Sequence, residues 1–278
     1  MSISLKKARD FVFRNGSRWE VALFEHLFLG GDVARVHQAL LCYKNPDGGW
    51  AYGLEQDIST PDSNPLGLEF LLSVIRDTGI DHGTLFAGSA AWLEANRNED
   101  GSLKNPASVL EYPHAEWWAG GGQNVPASIT GNLIKLGLCT DSILESTQRW
   151  MQENYTLAKI AENEWLFMCY RPFDYFMNVT DYPDLDKHKA ATLDNLIVLA
   201  ESAPEKQYAT LLSFAPTPEA MSKYGIPERL FTRTLDYLME NQREDGRWDD
   251  EHGLEGWHPY ITTTVLLALK RYEREIGP

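Results

Sequence analysis

A short turn that contains Asp-Gly occurs three times in this chain of 278 residues, each time after an amphipathic stretch. The three segments are residues 43–50, 96–103 and 241–248. Glycine accepts the left-handed conformation that ends a helix, and aspartate bonds the backbone of its own turn. Each segment therefore predicts a helix end, a tight turn and then an apolar or aromatic residue that packs into the interior. The aspartates Asp47, Asp100 and Asp245 are interpreted as turn formers.

The spacing of the turns indicates a repeat. Asp47 and Asp100 lie 53 positions apart, and Asp100 and Asp245 lie 145 positions apart, close to three intervals of the same length. Such a period is typical of an array of helical hairpins. Two middle repeats have then lost the Asp-Gly signal.

Apolar residues recur at helical spacing through most of the remaining chain, and no alternating pattern predicts a pair of strands. The predicted helical stretches are 18–28, 33–42, 66–76, 84–95, 127–138, 143–154, 185–199, 230–240 and 261–272. Repeated prolines interrupt 161–221 and leave its helix boundaries undefined. The segment 62–65 (Asp-Ser-Asn-Pro) predicts a helix start, with a capping residue and then proline in the first turn.

The predicted fold class is all-α, and the architecture is an α/α toroid of about six helical hairpins. One helix of each pair lines the inside of the ring and the other packs outside. We expect a single domain over residues 1–278, because no linker separates the hairpins. An open solenoid is the alternative arrangement.

Composition excludes several classes of protein. Hydrophobic residues make up 43% of the chain, enough for a sizeable core. The formal net charge of −15 repels phosphate backbones and anionic membranes, so we expect no nucleic-acid partner. No stretch approaches the roughly 20 apolar residues of a membrane span. The first residues do not resemble a secretory signal, and the three separated cysteines fit a reducing cytoplasm.

The C-terminal turn has a recognisable pattern. Residues 242–248 fit the Gln-x-x-x-Gly-x-Trp turn of squalene and terpenoid cyclases. The turn at 44–50 is similar, with Lys44 in place of the glutamine, and the turn at 97–103 is a weaker copy with Arg97 and Leu103. The chain thus resembles the terpenoid cyclases and the protein prenyltransferase β subunits, which share this turn. The resemblance implies the α/α toroid fold.

The catalytic motifs of these families are absent from the sequence. There is no Asp-x-Asp-Asp acid as in the cyclases, and no Asp-x-Cys pair as in the zinc site of the prenyltransferases. Ile261 stands at the position of the zinc-binding histidine, and His258 is out of register. The resemblance therefore implies the fold but no particular reaction. We predict that the protein holds no metal and no other cofactor.

Three loops follow the equivalent turns, at 51–64, 104–124 and 249–259. In a ring they emerge at the same end, so we expect them to meet at the mouth of the inner cavity. Loops on a rigid scaffold are common places for sites. The candidate catalytic residues are Glu55, Asp57, His114 and Glu116. The candidate ligand-binding residues are Tyr52, Trp117, Trp118, Glu255, Trp257 and His258.

Three functions suit these residues. In the first, a small apolar or isoprenoid-like ligand lies against the indoles, which stabilise positive charge, while Asp57 or Glu55 serves as a neutral acid. In the second, paired carboxylates such as Glu55 and Glu116 act on a carbohydrate that stacks on tryptophan. In the third, the protein is a non-enzymatic adaptor that binds a peptide or a lipid.

Overall fold

The computed structural model describes residues 3–120 and 123–278, and the all-α class is confirmed. The α-helices of this part of the chain are α1 Leu5–Asn15, α2 Arg18–Leu29, α3 Val33–Leu40, α4 Pro65–Thr78, α5 Ser89–Ala95, α6 Ala127–Lys135, α7 Asp141–Asn154, α8 Leu157–Ala161, α9 Tyr170–Phe176, α10 Leu185–Ser202, α11 Tyr208–Phe214, α12 Pro218–Tyr224, α13 Glu228–Glu240 and α14 His258–Arg271. Short 3₁₀ helices cover Leu41–Tyr43, Ala107–Glu111, Glu116–Trp118, Leu166–Cys169, Glu205–Gln207 and Glu255–Trp257. The strands are two residues each: β1 Ile3–Ser4, β2 Leu103–Lys104, β3 Gln123–Asn124 and β4 Ile276–Gly277.

Most predicted helical stretches coincide with a helix. The stretch 84–95 is an exception, because α5 begins only at Ser89, after Gly88 with a left-handed φ of 81°. The predicted cap before α4 is confirmed: the Asn64 side chain accepts a hydrogen bond from the Gly67 N–H at 2.9 Å, and Pro65 is the first helical residue. In the proline-rich stretch, Pro172 lies in the first turn of α9, where its missing N–H breaks no helical bond.

The chain divides into two compact units. The terminal unit comprises the described residues up to Ala39 together with Glu164–Phe167 and Leu196–Pro278. The central unit comprises Leu40–Asn163 and Met168–Asn195. The prediction of one domain closed into a ring depends on how the units are joined, and it stays a prediction. No helix of the described residues is both long enough and apolar enough to cross a membrane.

The three Asp-Gly turns have the same geometry. The side chains of Asp47, Asp100 and Asp245 each accept a hydrogen bond from the backbone N–H two positions later, at 2.8, 2.9 and 3.2 Å. The glycines that follow have φ values of 92°, 88° and 101°. All three aspartates are thus engaged in their own turns, as the sequence predicts.

The residue that opens each of the first two turns bonds the backbone at or just before a later helix. In the central unit, the Lys44 ammonium donates to the Leu85 carbonyl at 2.5 Å, just before α5. The Arg97 guanidinium donates to the Ser142 carbonyl at 2.7 Å, at the start of α7. Lysine and arginine at the glutamine position therefore make the same kind of side-chain to carbonyl link.

In the terminal unit, the last turn makes this link to the first helix. Gln242 accepts from the Ser4 N–H at 2.8 Å and donates to the Ser4 carbonyl at 3.1 Å. Beside them β1 pairs in parallel with β4, with Ile3 opposite Ile276. The two ends of the described chain are thus joined within the terminal unit by side-chain and backbone hydrogen bonds.

Each unit has a core of buried helices. In the central unit α6 packs against α4 and α9, and every residue of α6 from Ala127 to Leu133 is buried. Gly131 of α6 faces the Asp174 carbonyl of α9 so closely that a Cβ atom would clash with it. In the terminal unit α14 packs against α2 and α11. Helices buried on several sides are apolar all round, apart from a few polar side chains that need partners.

Candidate functional site

The first two loops meet in the central unit. The Ser59 N–H donates to the Pro113 carbonyl at 3.1 Å, and the Ala115 N–H donates to the Asp57 carbonyl at 2.8 Å. Ile58 and His114 form an isolated antiparallel bridge between these bonds. These backbone hydrogen bonds bring Glu55 and Asp57 to the segment that carries His114 and the two tryptophans. Two of the three loops that we expected to meet are therefore in contact.

The adjacent tryptophans have different environments. Trp117 is 56% exposed, and its indole N–H donates to Asp57 Oδ2 at 2.8 Å. Trp118 packs against a buried cluster of Ile58, Leu66 and Val109. Trp118 therefore anchors the second loop on the first, and Trp117 presents an aromatic face to solvent beside a carboxylate.

Glu55 lies where the loop approaches the buried helices. Its Oε2 accepts a hydrogen bond from the Asp57 N–H at 3.0 Å. The residue keeps part of its surface exposed, yet protein atoms surround its carboxyl group. Burial raises the pKa of Glu55 well above its ordinary value, and the neighbouring charges of Asp57 and Glu69 raise it further. Two carboxylates that cannot both ionise in a dry site are a means of keeping one acid neutral near pH 7.

Glu69 is the carboxylate that the sequence analysis missed. It lies on α4, is only 8% exposed, and its Oε2 accepts a hydrogen bond from the Tyr170 hydroxyl of α9 at 3.3 Å. Burial raises its pKa from 4.5 to about 7, against the lowering effect of Arg171. Its Oε1 is buried and accepts no hydrogen bond within the described residues, since Ser128 donates its one hydroxyl hydrogen to Asp174. This environment disfavours the charged form of Glu69.

A hydrogen-bonded chain of Tyr170, Arg171 and Tyr155 lies next to Glu69. The Arg171 guanidinium donates to the Tyr170 hydroxyl oxygen at 3.1 Å and also bonds the Tyr155 hydroxyl. Burial raises the pKa of both tyrosines, so their hydroxyls stay protonated. Tyr170 therefore keeps a hydrogen to donate to Glu69, and Arg171 supplies the nearest positive charge.

A second buried carboxylate fixes the helices that carry these groups. Asp174 of α9 accepts hydrogen bonds at Oδ2 from Arg76 of α4 at 2.7 Å, Ser128 of α6 at 2.7 Å and Asn132 of α6 at 2.9 Å. One oxygen thus ties three helices together. Burial raises the pKa of Asp174, and the Arg76 charge lowers it. This ion pair positions α4 and α9 and with them Glu69 and Tyr170.

Other predicted residues of these loops have more peripheral positions. Tyr52 is 51% exposed and has a left-handed φ of 59°. His114 lies close to the Tyr112 carbonyl, with Nδ1 at 2.8 Å from the oxygen. Glu116 is exposed at the start of a 3₁₀ helix. These three residues lie on the same two loops, and none of them belongs to the buried pair Glu55 and Glu69.

The third loop belongs to the terminal unit. Glu255 is exposed, Trp257 is partly buried, and His258 is 7% exposed as the first residue of α14. A cavity of about 470 Å³ in this unit is lined by Glu255 and His258, among others. The expected meeting of this loop with the other two stays a prediction.

Comparison of the sequence with protein families and with curated proteins gives no relative. No protein-family model matches the chain, and no curated protein sequence matches it. Within residues 3–120 and 123–278, no group of three or more His, Cys, Asp or Glu side chains is arranged to hold a metal ion. Function has to be argued from the carboxyl cluster itself.

Proposed function

We propose that the central unit carries the active site of an acid–base enzyme that acts on a small, largely apolar molecule. Glu55 is the general acid, because it is the buried carboxyl that reaches the loop surface. The observation that carries this proposal is the burial of two neighbouring carboxyl groups, Glu55 and Glu69, which raises the pKa of both. Glu69 is a positioning residue that keeps the local charge low, with Tyr170 holding its Oε2.

The loop surface beside Glu55 supports an isoprenoid-like substrate. The exposed Trp117 indole lies next to Asp57, and a ring face together with a carboxylate stabilises positive charge that develops on a hydrocarbon. The apolar cluster around Trp118 lies on the same loops. In this proposal Glu55 protonates the substrate, and Trp117 and Asp57 then stabilise the positive charge that develops on it.

Glycoside chemistry is a second candidate, favoured by the same Trp117. An exposed indole beside a carboxylate is also a platform on which a sugar ring stacks. Glu55 would then protonate the leaving oxygen and Asp57 would act opposite it.

We also propose that the hairpins close into an α/α toroid. The support is the link from Gln242 to Ser4, which repeats between the last turn and the first helix the links made by Lys44 and Arg97.

A turnover assay tests the enzymatic proposal. The protein is incubated with a panel of isoprenoid diphosphates and oligosaccharides, and products are detected by mass spectrometry for the wild type, Glu55→Gln and Glu111→Gln. Glu111 is exposed on the second loop and serves as the matched control. Loss of a general acid lowers the rate by about 10²–10⁴, so we expect that loss for Glu55→Gln and an unchanged rate for Glu111→Gln. An unchanged rate in Glu55→Gln would refute the assignment, and saturable binding without turnover would favour an adaptor.

A further inference from the structure

A second cavity lies in the central unit, with a volume of about 300 Å³. It is lined by residues of α7, α8, α9 and α10, whereas Glu55 and Asp57 lie on the first loop. Tyr155 lines the cavity and also bonds Arg171, next to Glu69. Its size is at the lower end of the range of about 300–1,000 Å³ that is typical of ligand pockets.

Apolar side chains form much of the wall. They include Trp150, Ile160, Met168 and Pro172, with Val125 at the end of the second loop. Ile160 is 2% exposed and belongs to the core of this unit. A wall of this kind favours a hydrocarbon or aromatic body, because burying apolar surface is the main gain on binding.

One polar group on the wall lacks a partner. Thr192 of α10 is 1% exposed, and its Oγ1 is buried without a hydrogen-bond partner within the described residues. A buried hydroxyl is costly unless it is bonded. Thr192 is among the residues that line the cavity, so a ligand with one donor or acceptor beside it would supply the missing bond.

The other polar side chains on this wall have partners: Asn154 donates to the Trp150 carbonyl and Tyr155 bonds Arg171. The Asn195 amide donates to the Asn163 carbonyl at 3.0 Å, and the Cys169 thiol donates to Asn195 Oδ1 at 3.4 Å. Of the lining residues, Lys159 alone carries a charge, and it is exposed with its ammonium donating to the Glu153 carbonyl at 3.3 Å. The cavity interior is therefore polar at one side but uncharged.

We propose that this cavity binds a small neutral molecule with an aromatic or hydrocarbon body and a single hydrogen-bonding group, which pairs with Thr192. Phenols, alcohols and amides are the chemical classes that fit. The proposal does not depend on the acid–base function, because its anchoring residue Thr192 has no role in that function.

Two matched probes test it on the full chain. 1-Naphthol and 1-methylnaphthalene have the same ring system and differ in one hydroxyl group, and both are fluorescent. Binding of each is titrated with the wild type, Thr192→Val, Val125→Trp and Thr264→Val. Thr192→Val keeps the shape and removes the hydroxyl. Val125→Trp fills the cavity from a partly exposed position, and Thr264 in α14 of the terminal unit is the control.

We expect saturable 1:1 binding of 1-naphthol to the wild type. Thr192→Val should weaken the binding of 1-naphthol by a factor of roughly 2 to 10, which is the effect of losing one neutral hydrogen bond. The affinity for 1-methylnaphthalene should not change. Val125→Trp should abolish binding of both, and Thr264→Val should change neither. Near-ultraviolet circular dichroism confirms that each variant is folded. If Val125→Trp does not fold, the two probes on Thr192→Val decide.

Three results would overturn the proposal. They are no saturable binding of 1-naphthol, equal effects of Thr192→Val on the two probes, and undiminished binding to a folded Val125→Trp.

Discussion

Tyr170 donates its hydroxyl hydrogen to Glu69 Oε2 across 3.3 Å, from one buried helix of the central unit to another. The bond occupies one carboxyl oxygen and leaves Oε1 buried without a donor among the described residues. A carboxylate in that position would be poorly solvated, so the neutral acid is favoured. The first prediction follows from this preference.

The stability of the protein should depend on pH through Glu69. Its ordinary pKa is 4.5 and burial raises it to about 7, so between these values the folded state holds a proton that the unfolded chain has lost. The free energy of unfolding therefore falls as pH rises through this window and stays low above it. Glu69→Gln has no titratable group at this position, so it lacks this part of the pH dependence. Relative to the wild type, the variant should gain roughly 3 kcal/mol between about pH 4 and pH 8.

Urea unfolding at a series of pH values measures this difference. Glu111→Gln, at an exposed site, is the control and should follow the wild type at every pH. Parallel curves for the wild type and Glu69→Gln would show that Glu69 titrates normally.

Removing one partner of the buried ion pair should be costly. Asp174→Asn removes one of the two carboxylates that pair with Arg76, whose side chain is only 10% exposed, and Asp77 remains as the other. Breaking a buried pair completely costs about 3–5 kcal/mol, and because Asp77 still compensates the Arg76 charge we expect a loss toward the lower end of that range. Asp184→Asn breaks the exposed pair with Lys187 and should leave the unfolding midpoint unchanged. Similar midpoints for both variants would mean that Asp174 does not hold the three helices together.

Gly246 should be intolerant of any side chain. Its φ is 101°, and a Cβ atom would clash with the backbone of Lys7 and Ala8 in α1. Gly253 also has a positive φ, of 74°, but has open space around it. Gly253→Ala should therefore cost only the backbone strain, about 1–2 kcal/mol, and Gly246→Ala should cost several times more in thermal or urea unfolding. Equal losses would show that the last turn does not press against the first helix.

The turns and the first two loops could be predicted from the sequence because their signals are local. Asp-Gly after an amphipathic stretch defines a turn within a few residues, and three copies define equivalent loops. Glu55 and Asp57 are singled out in this way, because they lie in one of these loops. The link from Gln242 to Ser4 joins residues at opposite ends of the chain, and only the repeat pattern pointed to it.

The buried half of the site could not be predicted, because it depends on the register of helices distant in sequence. Glu69 and Tyr170 are 101 positions apart, and Arg76 and Asp174 are 98 apart. A signal was present in each helix, since Glu69 stands among apolar residues and Asp174 is flanked by aromatic ones. A lone carboxylate in an apolar run requires a partner, but the sequence does not say which one.

A direct titration of the two glutamates tests the central claim. The protein is labelled with ¹³C at the glutamate carboxyl carbons, and the resonances of Glu55 and Glu69 are assigned from Glu55→Gln and Glu69→Gln. We predict a midpoint of about 7 for Glu69 and a midpoint for Glu55 well above its ordinary value of 4.5. Midpoints near 4.5 for both would show that they are ionised at neutral pH and would contradict the assignment of Glu55 as an acid.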